Sequence, residues 1–321
     1  MDGTSPQTGI YAGIPFHEYV EWPYINGSTL AKAFVDGIPS AKHLLAAIEH
    51  RLKVPESKQI GFGRAGHARL LEPVFFSERF KVATPCAALI KSKTSYRCGL
   101  PCGNDPTYEF DGQFYCGVRG HAPEGAVPVG EVVTVEQAAR LERMAKAVQQ
   151  DPAIHLLRTQ GGFEESFVAE LDGVLCKGRC DKIITSPPQP YPAGDSRNFP
   201  RCVADIKFVS AKRHTDAIFF RQAIDLLYDA KAAFYLDGLK AIDGIERRFV
   251  WAVIEADDPF DISVKFAPHA LIRSGRERYK QVLAMYQEGV TKGVWPGLYN
   301  DVHDLELPEW WCNANRDHFS Q

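Results

Sequence analysis

No apolar run in this 321-residue chain approaches the roughly 18 residues that a membrane-spanning helix needs. Its first residues, Met1-Asp2-Gly3-Thr4-Ser5, lack the basic-then-apolar pattern of a secretory leader. Both absences point to a cytoplasmic protein with no membrane partner. No charge of one sign dominates either: 37 Lys and Arg against 40 Asp and Glu leave a net charge of −3. The bulk charge therefore does not advertise a polyanionic partner, although a local basic groove can sit on a near-neutral body. There is no internal repeat and no low-complexity tract. No GxxxxGK[ST] or GxGxxG motif follows a strand-like run, which argues against nucleotide-cofactor folds.

Cysteine, by contrast, is plentiful and unevenly placed. Of eight cysteines, Cys98, Cys102 and Cys116 cluster, Cys176 and Cys180 flank a strand-like run, and Cys86, Cys202 and Cys312 stand apart. In a cytoplasmic chain these are expected to be reduced or metal-bound. Cys98, Cys102, Cys116 and His121 have the content of a Cys₃His zinc site, among residues rich in Gly, Pro and Tyr that supply tight turns. Residues 84–128 show no helical period and read as an irregular insertion.

Around that insertion the periodicities are clear. Ser28 reads as the N-cap of a first helix, Pro39-Ser40 opens a second, and Gly61 to Leu71 forms a third that ends before Pro73. Val135 to Gln150 carries an apolar stripe of Ala138, Leu141, Met144, Ala145 and Val148. Phe163–Glu170 and Gly173–Ile184 alternate as strands on either side of Leu171-Asp172-Gly173. Cys202–Val209 is a third strand, reached through a Pro-rich loop from Pro187 to Pro200. A long helix follows from Ala217 to Leu239, then a strand from Arg248 to Glu255, a helix from Ala267 to Glu288 and an irregular tail from Trp295. This order predicts an α/β protein with a mixed central β-sheet flanked by helices.

The chemistry lies in the strands. Asp205 and Lys207 interrupt the apolar run Cys202–Val209 at alternate positions, so they project from one face of a buried-looking strand. Asp181 ends another strand, and a carboxylate from a neighbour would complete a hard-oxygen site for Mg²⁺. Such an ion suits phosphodiester hydrolysis, with Lys207 neutralising developing charge. His67, on a helix, offers a further ligand through a ring nitrogen. Glu165, on the preceding strand, could hold a second ion or a water. Arg64, Lys177, Arg179 and Lys231 are the basic residues expected to meet substrate phosphates without reading sequence. Arg179 shares strand parity with Asp181, and Lys182 and Lys212 read as solvated surface charges.

A resemblance emerges from the same residues. Gly63-Arg64-Ala65-Gly66-His67 with Leu71-Glu72-Pro73 resembles the "G-x-A-x-H…LEP" helix of RecE-type exonucleases, in the RecB-like branch of the PD-(D/E)XK nucleases. Gly173–Ile183 resembles the "G-x-L-C-[KR]-x-R-x-D-[KR]-I" run, Glu165-Ser166 the glutamate before the first strand pair, and Asp205-Ile206-Lys207 the "D-[ILVF]-K" strand. Ala232–Gly238 and the tail at Trp295-Pro296 and Leu307–Trp310 also fit.

The resemblance implies a PD-(D/E)XK core spanning residues 1–321 as one nuclease domain, with residues 84–128 inserted in it. It implies a metal-dependent exodeoxyribonuclease acting on linear double-stranded DNA ends, in phage or bacterial recombination. It also implies His67, Asp181, Asp205 and the Ile206 backbone carbonyl as ligands of Mg²⁺ or Mn²⁺, with Lys207 positioning water. A homo-oligomer and a single-strand annealing partner are implied in the same way. Two positions depart from the family. Lys231 and Tyr235 stand where Gln-x-x-x-Tyr is usual, so a point charge replaces a two-sided hydrogen-bonder near the substrate. Gly66 replaces a bulkier residue. The alternatives are a structure-selective endonuclease on the same fold, or a catalytically weak DNA-binding or assembly module whose zinc-bearing insertion docks a partner.

Overall fold

The alternating segments on either side of Asp172-Gly173 become the hairpin at the centre of the molecule. The computed structural model describes residues 5–52, 58–90, 100, 102–118, 120–151, 154, 161–184, 201–299, 302 and 306–314. Its main sheet has seven strands: β1 (Gly9–Tyr11), β2 (Ile25–Asn26), β3 (Gly162–Leu171), β4 (Val174–Ile184), β5 (Cys202–Val209), β6 (Arg248–Glu255) and β7 (Ile262–Phe266). The order is β1-β3-β4-β5-β6-β7, and β2 pairs with β4 off this path. The β5–β6 and β2–β4 pairs are parallel and the others antiparallel, so the sheet is mixed.

Asp172 and Gly173 turn the β3–β4 hairpin with positive φ, 47° and 78°. That conformation matches the twist of the strands, is open to Asp and suits Gly best. The turn sets Leu171 opposite Val174, and the ladder keeps this register back to Gly162 opposite Ile183.

On its other edge β4 has two different partners. It pairs with β5 over Lys182–Ile184 and with β2 only at Cys176 and Lys177. Among the described residues no strand pairs with Gly178–Asp181 on that edge, so the sheet forks there.

Helices cover both faces: α1 (Lys58–Leu71), α2 (Val135–Gln150), α3 (Asp216–Asp225), α4 (Tyr228–Asp243) and α5 (His269–Lys292). One core joins Phe167, Cys180, Ile183, Val203 and Trp251 of the sheet to Phe219, Phe234 and Leu283 of α3, α4 and α5. The other joins Ile206, Ala252 and Ile254 to Phe62 and Ala65 of α1 and Leu141 and Met144 of α2. The result is a three-layer α/β fold with the mixed sheet inside, as the periodicities predict. Each fully buried Phe or Leu contributes roughly 2–3 kcal/mol to holding these layers together.

Some local expectations change. The helix expected from Ala217 to Leu239 is two helices, broken where Leu227 takes a left-handed φ of 55°. No glycine or proline marks the break, and Leu227 is buried. Asn26, not Ser28, caps the first helix of the pair that follows β2, accepting from the Thr29 N–H at 2.8 Å. The insertion contains a small sheet, Tyr108–Phe110 with Gln113–Tyr115 and Val127–Pro128, whose strands are too short to show a period. Its base is framed by Phe80–Ala83 paired in parallel with Glu131–Thr134. β7 and a last helix, Glu309–Ala314, had no counterpart in the sequence reading. The Pro-rich stretch 187–200 lies outside the described residues. Among the described residues, no helix is long and apolar enough to cross a membrane.

Candidate active site at the fork of the sheet

The fork leaves backbone donors without strand partners, and Asp181 uses one. The Ile206 N–H of β5 donates to Asp181 Oδ2 at 2.6 Å, tying the two diverging strands together through a carboxylate. His67, on α1, brings Nδ1 to 3.4 Å from the same oxygen. Helix α1 can lie this close because residue 66 is a glycine. A Cβ there would stand 2.6 Å from the Phe208 ring. Phe208 in turn meets the His67 ring edge-on at 5.4 Å. The departure at Gly66 thus has a packing cause: the aromatic after Lys207 occupies the space a larger side chain would take.

The third ligating group at this point is Glu164. His67, Glu164 and Asp181 offer ligand atoms that all lie within 4.8 Å of one another. Two carboxylates brought together in a mostly buried place repel. The Glu164 carboxyl is accordingly pushed up to about 7, by burial first and by the Asp181 charge second, with Arg179 opposing. A carboxyl destabilised by burial and by a neighbouring carboxylate, beside an imidazole, belongs to a donor set that a hard divalent cation would relieve. The residues present therefore fit such an ion.

Glu165, the expected acid, lies elsewhere. The hairpin register places it opposite Cys180, on the other face of the ladder from Glu164. Its carboxyl is raised by burial and lowered by Lys182 and Arg247, so its charged neighbours are not those of the cluster. The register count from Leu171↔Val174 puts Glu164 across from Asp181, and that count was available in the sequence.

Asp205 is 2% exposed and stands beside the cluster in a different role. Lys231 Nζ reaches Oδ1 at 3.1 Å, and the Lys207 ammonium pairs with Oδ2. Oδ2 nevertheless accepts no well-directed hydrogen bond, which leaves coordination capacity on a buried oxygen. Burial alone would raise this carboxyl. Lys207 and Lys231 outweigh burial and hold it well below the ordinary carboxylate range. Lys231 is likewise pulled down by burial and pushed up more strongly by Asp205, Tyr235 and Asp181. Tyr235, one turn further along α4, lies with its ring centroid 5.3 Å from Lys231 Nζ. Lys207 Nζ lies 4.7 Å from the Tyr228 ring centroid.

Two of the expected phosphate-binding residues are committed inside the protein. Lys177 is 4% exposed. Its Nζ donates to the carbonyls of Tyr19, Val20 and Trp22 at 3.0, 2.9 and 2.6 Å. These carbonyls gather at the C-terminal end of the short helix Phe16–Glu21, where a cation suits the helix dipole; Tyr19 O also accepts from the Trp22 N–H at 3.3 Å. Arg179 donates to Glu164 at 2.6 Å, Ile14 O at 2.6 Å, Ser166 Oγ at 3.3 Å and Glu72 at 3.2 Å. It therefore orients Glu164, and Glu72 of the Leu-Glu-Pro segment orients it. Lys182, read as a surface charge, is 1% exposed, with Nζ on Gly161 O at 3.1 Å and 3.7 Å from the Phe163 ring centroid. Arg64 pairs with Glu131 at 2.9 Å and stays partly exposed.

A second cluster forms in the insertion. Cys86, Cys102, Cys116 and His121 offer ligand atoms within 4.8 Å of one another. Cys98, the fourth member expected from spacing, lies outside the described residues. Cys86, which stands apart in the sequence, belongs to the cluster.

Residues 27–302 match the PDDEXK-like domain of unknown function (DUF3799), and the chain belongs to that family. Comparison with curated proteins gives no match. The crystal structure of a putative exonuclease from Eubacterium rectale superposes with a TM-score of 0.56 at 10% sequence identity, covering 95% of this chain and 99% of that one. This likeness concerns the fold.

Proposed function

We propose that this PDDEXK-like protein is a divalent-metal-dependent exodeoxyribonuclease that hydrolyses phosphodiester bonds in linear double-stranded DNA. The observation that carries the reading is the convergence of His67, Glu164 and Asp181 at the fork, beside an Asp205 held by two lysines. The Eubacterium rectale protein of similar fold is described as an exonuclease, which supports nucleic-acid ends as the substrate class.

His67, Asp181 and Glu164 would hold Mg²⁺ or Mn²⁺, with Asp205 and the Ile206 carbonyl as further oxygen donors. An ion so held lowers the pKa of a bound water and polarises a phosphoryl oxygen. The chain's own residues do the rest. Arg179 fixes the Glu164 carboxylate. The Ile206 N–H fixes the Asp181 carboxylate. Lys207 offers an ammonium beside Asp205 that can donate to the attacking water or to a phosphate oxygen. Lys231 keeps the buried Asp205 ionised and presents a fixed positive charge where RecE-type exonucleases usually have glutamine. A groove of about 1040 Å³ runs past Phe208 and Tyr228, the aromatics that touch His67 and Lys207. Its charged lining is mixed, with Arg140 and Arg213 beside Asp105, Glu136 and Asp257.

Incubation of linear and covalently closed circular duplex with Mg²⁺ tests the proposal, using wild type and Lys207→Ala. Loss of linear DNA alone, abolished in the variant, is the expected result. Cutting of circles would make the protein an endonuclease. DNA binding with no metal-dependent loss of either substrate would overturn hydrolysis.

A further inference from the structure

Among its described residues the insertion has almost no hydrophobic core of its own. Leu89, Leu100, Phe110, Val118 and Val127 are all exposed. Its buried cluster consists of Cys86, Cys102 and Cys116, with Ala88, Ile90 and Tyr115 packed against it. Its strands are two or three residues long. Sheets this small are not stable by themselves and need a cross-link, a metal or a larger body to lie on. Among the described residues no disulfide supplies the cross-link: the Cys102 and Cys116 sulfurs are 3.8 Å apart, far from the roughly 2.05 Å of a bond.

The distances within the cluster have a simple meaning. Zn–S bonds of about 2.3 Å and Zn–N bonds of about 2.0–2.1 Å, arranged tetrahedrally, put two sulfurs about 3.8 Å apart and a sulfur and a nitrogen about 3.5 Å apart. Cys102 Sγ and Cys116 Sγ are separated by 3.8 Å. His121 Nδ1 lies 3.2 Å from Cys116 Sγ and 3.8 Å from Cys86 Sγ. These are edges of a tetrahedron with ligands at its corners.

The backbone is arranged for thiolates. The Ala88 N–H points to Cys86 Sγ and the Val118 N–H to Cys116 Sγ, each two residues beyond its cysteine. Two loops thus wrap their own donors around sulfur, as a metal-bound thiolate requires.

We propose that Cys86, Cys102, Cys116 and His121 form a closed tetrahedral zinc site that folds the insertion. Three sulfurs and one imidazole favour zinc over the hard cation of the fork, and four protein ligands leave no position for substrate. The site is structural. The residues adjoining two of its ligands, Pro85 and Gly103, line the same groove as Phe208 and Tyr228. Zinc therefore fixes one wall of that groove. This last step rests on the nuclease reading, whereas the zinc site does not.

The test is metal analysis of the full-length protein, run on wild type, Cys86→Ser, Cys116→Ser and Cys98→Ser. One zinc per chain is expected in wild type and in Cys98→Ser, with a loss of at least tenfold in occupancy for the other two. Limited proteolysis should then cut the insertion in Cys86→Ser and leave it intact in Cys98→Ser. Because a cysteine variant can misfold, wild type is also loaded with Co²⁺ in place of zinc. Intense visible bands of tetrahedral cobalt with thiolate-to-metal charge transfer are expected. Absence of zinc from wild type even after reconstitution, zinc retained in Cys86→Ser, or the weak spectrum of octahedral cobalt would each overturn the site. None of these readouts depends on nuclease activity, so failure of the zinc site and failure of the nuclease reading are separable.

Discussion

The two side-chain clusters, the fork and the insertion, differ in nearly every physical respect. The fork gathers carboxylates and one imidazole, keeps His67 28% exposed, and surrounds its acids with the chain's own cations. Arg179 sits on Glu164, and Lys207 and Lys231 sit on Asp205. The insertion gathers three buried sulfurs and one nitrogen. The fork lies on three strands and a helix packed into two large cores, so its geometry exists without an ion. The insertion has little to hold it but the cluster itself. A place for exchange and reaction is built on rigid elements and left partly open. A place for folding is closed by its own ligands.

The sharpest way to break this contrast is to neutralise the fork. Asp181→Asn keeps an acceptor for the Ile206 N–H and relieves the repulsion with Glu164. Nuclease activity should fall by at least about 10³-fold, a scale typical of losing charge stabilisation at a reacting centre. The melting temperature should hold or rise, and zinc content should not change. A variant that keeps its activity would remove the fork as the active site.

Next in size is Lys231→Met, which strips one of two ammoniums from a buried carboxylate. We expect roughly 3 kcal/mol of destabilisation in chemical denaturation. Lys231→Gln should recover part of it. Equal stability of Met and wild type would show that Lys207 alone suffices for Asp205.

Glu164 gives the contrast a pH signature. Its carboxyl ionises near 7 in the folded protein against 4.5 ordinarily. Between those values the metal-free native state holds a proton that the unfolded chain has released. Stability must therefore fall as pH rises through that window, by on the order of 3 kcal/mol in full. Glu164→Gln should remove that slope, and saturating Mg²⁺ should reverse it in wild type. Parallel stability–pH curves for wild type and Glu164→Gln would contradict the assignment.

The smallest effect concerns Lys177. Lys177→Met leaves three carbonyls without their ammonium and should cost about 2 kcal/mol of stability. DNA affinity should keep its salt dependence, since a phosphate contact would reduce that slope by about one unit.

How far the sequence foretells this picture depends on what each residue's neighbours are. The strands Cys202–Val209 and Arg248–Glu255 and the helix Val135–Gln150 are bounded in the structure where their periodicity bounds them, because burial on one face or both leaves a local imprint. His67 and Asp181, more than a hundred residues apart in the chain, come to 3.4 Å of each other. Glu164 was passed over for Glu165 because the two are adjacent acids, and only register, counted from the turn, tells them apart. Lys177, Arg179 and Lys182 look like surface charges one at a time. Their partners lie at Trp22, Glu72 and Gly161, and local sequence does not announce such pairings. The break at Leu227 is similar: a left-handed leucine carries no signature, and tertiary packing alone demands it.

The most direct test of the central claim is one crystal soaked in Mn²⁺ and measured for anomalous scattering at both the manganese and the zinc absorption edges. The account predicts a manganese peak bonded by His67, Glu164 and Asp181, and a separate zinc peak among Cys86, Cys102, Cys116 and His121. Manganese bound away from the fork, with His67 and Asp181 bare, would contradict it.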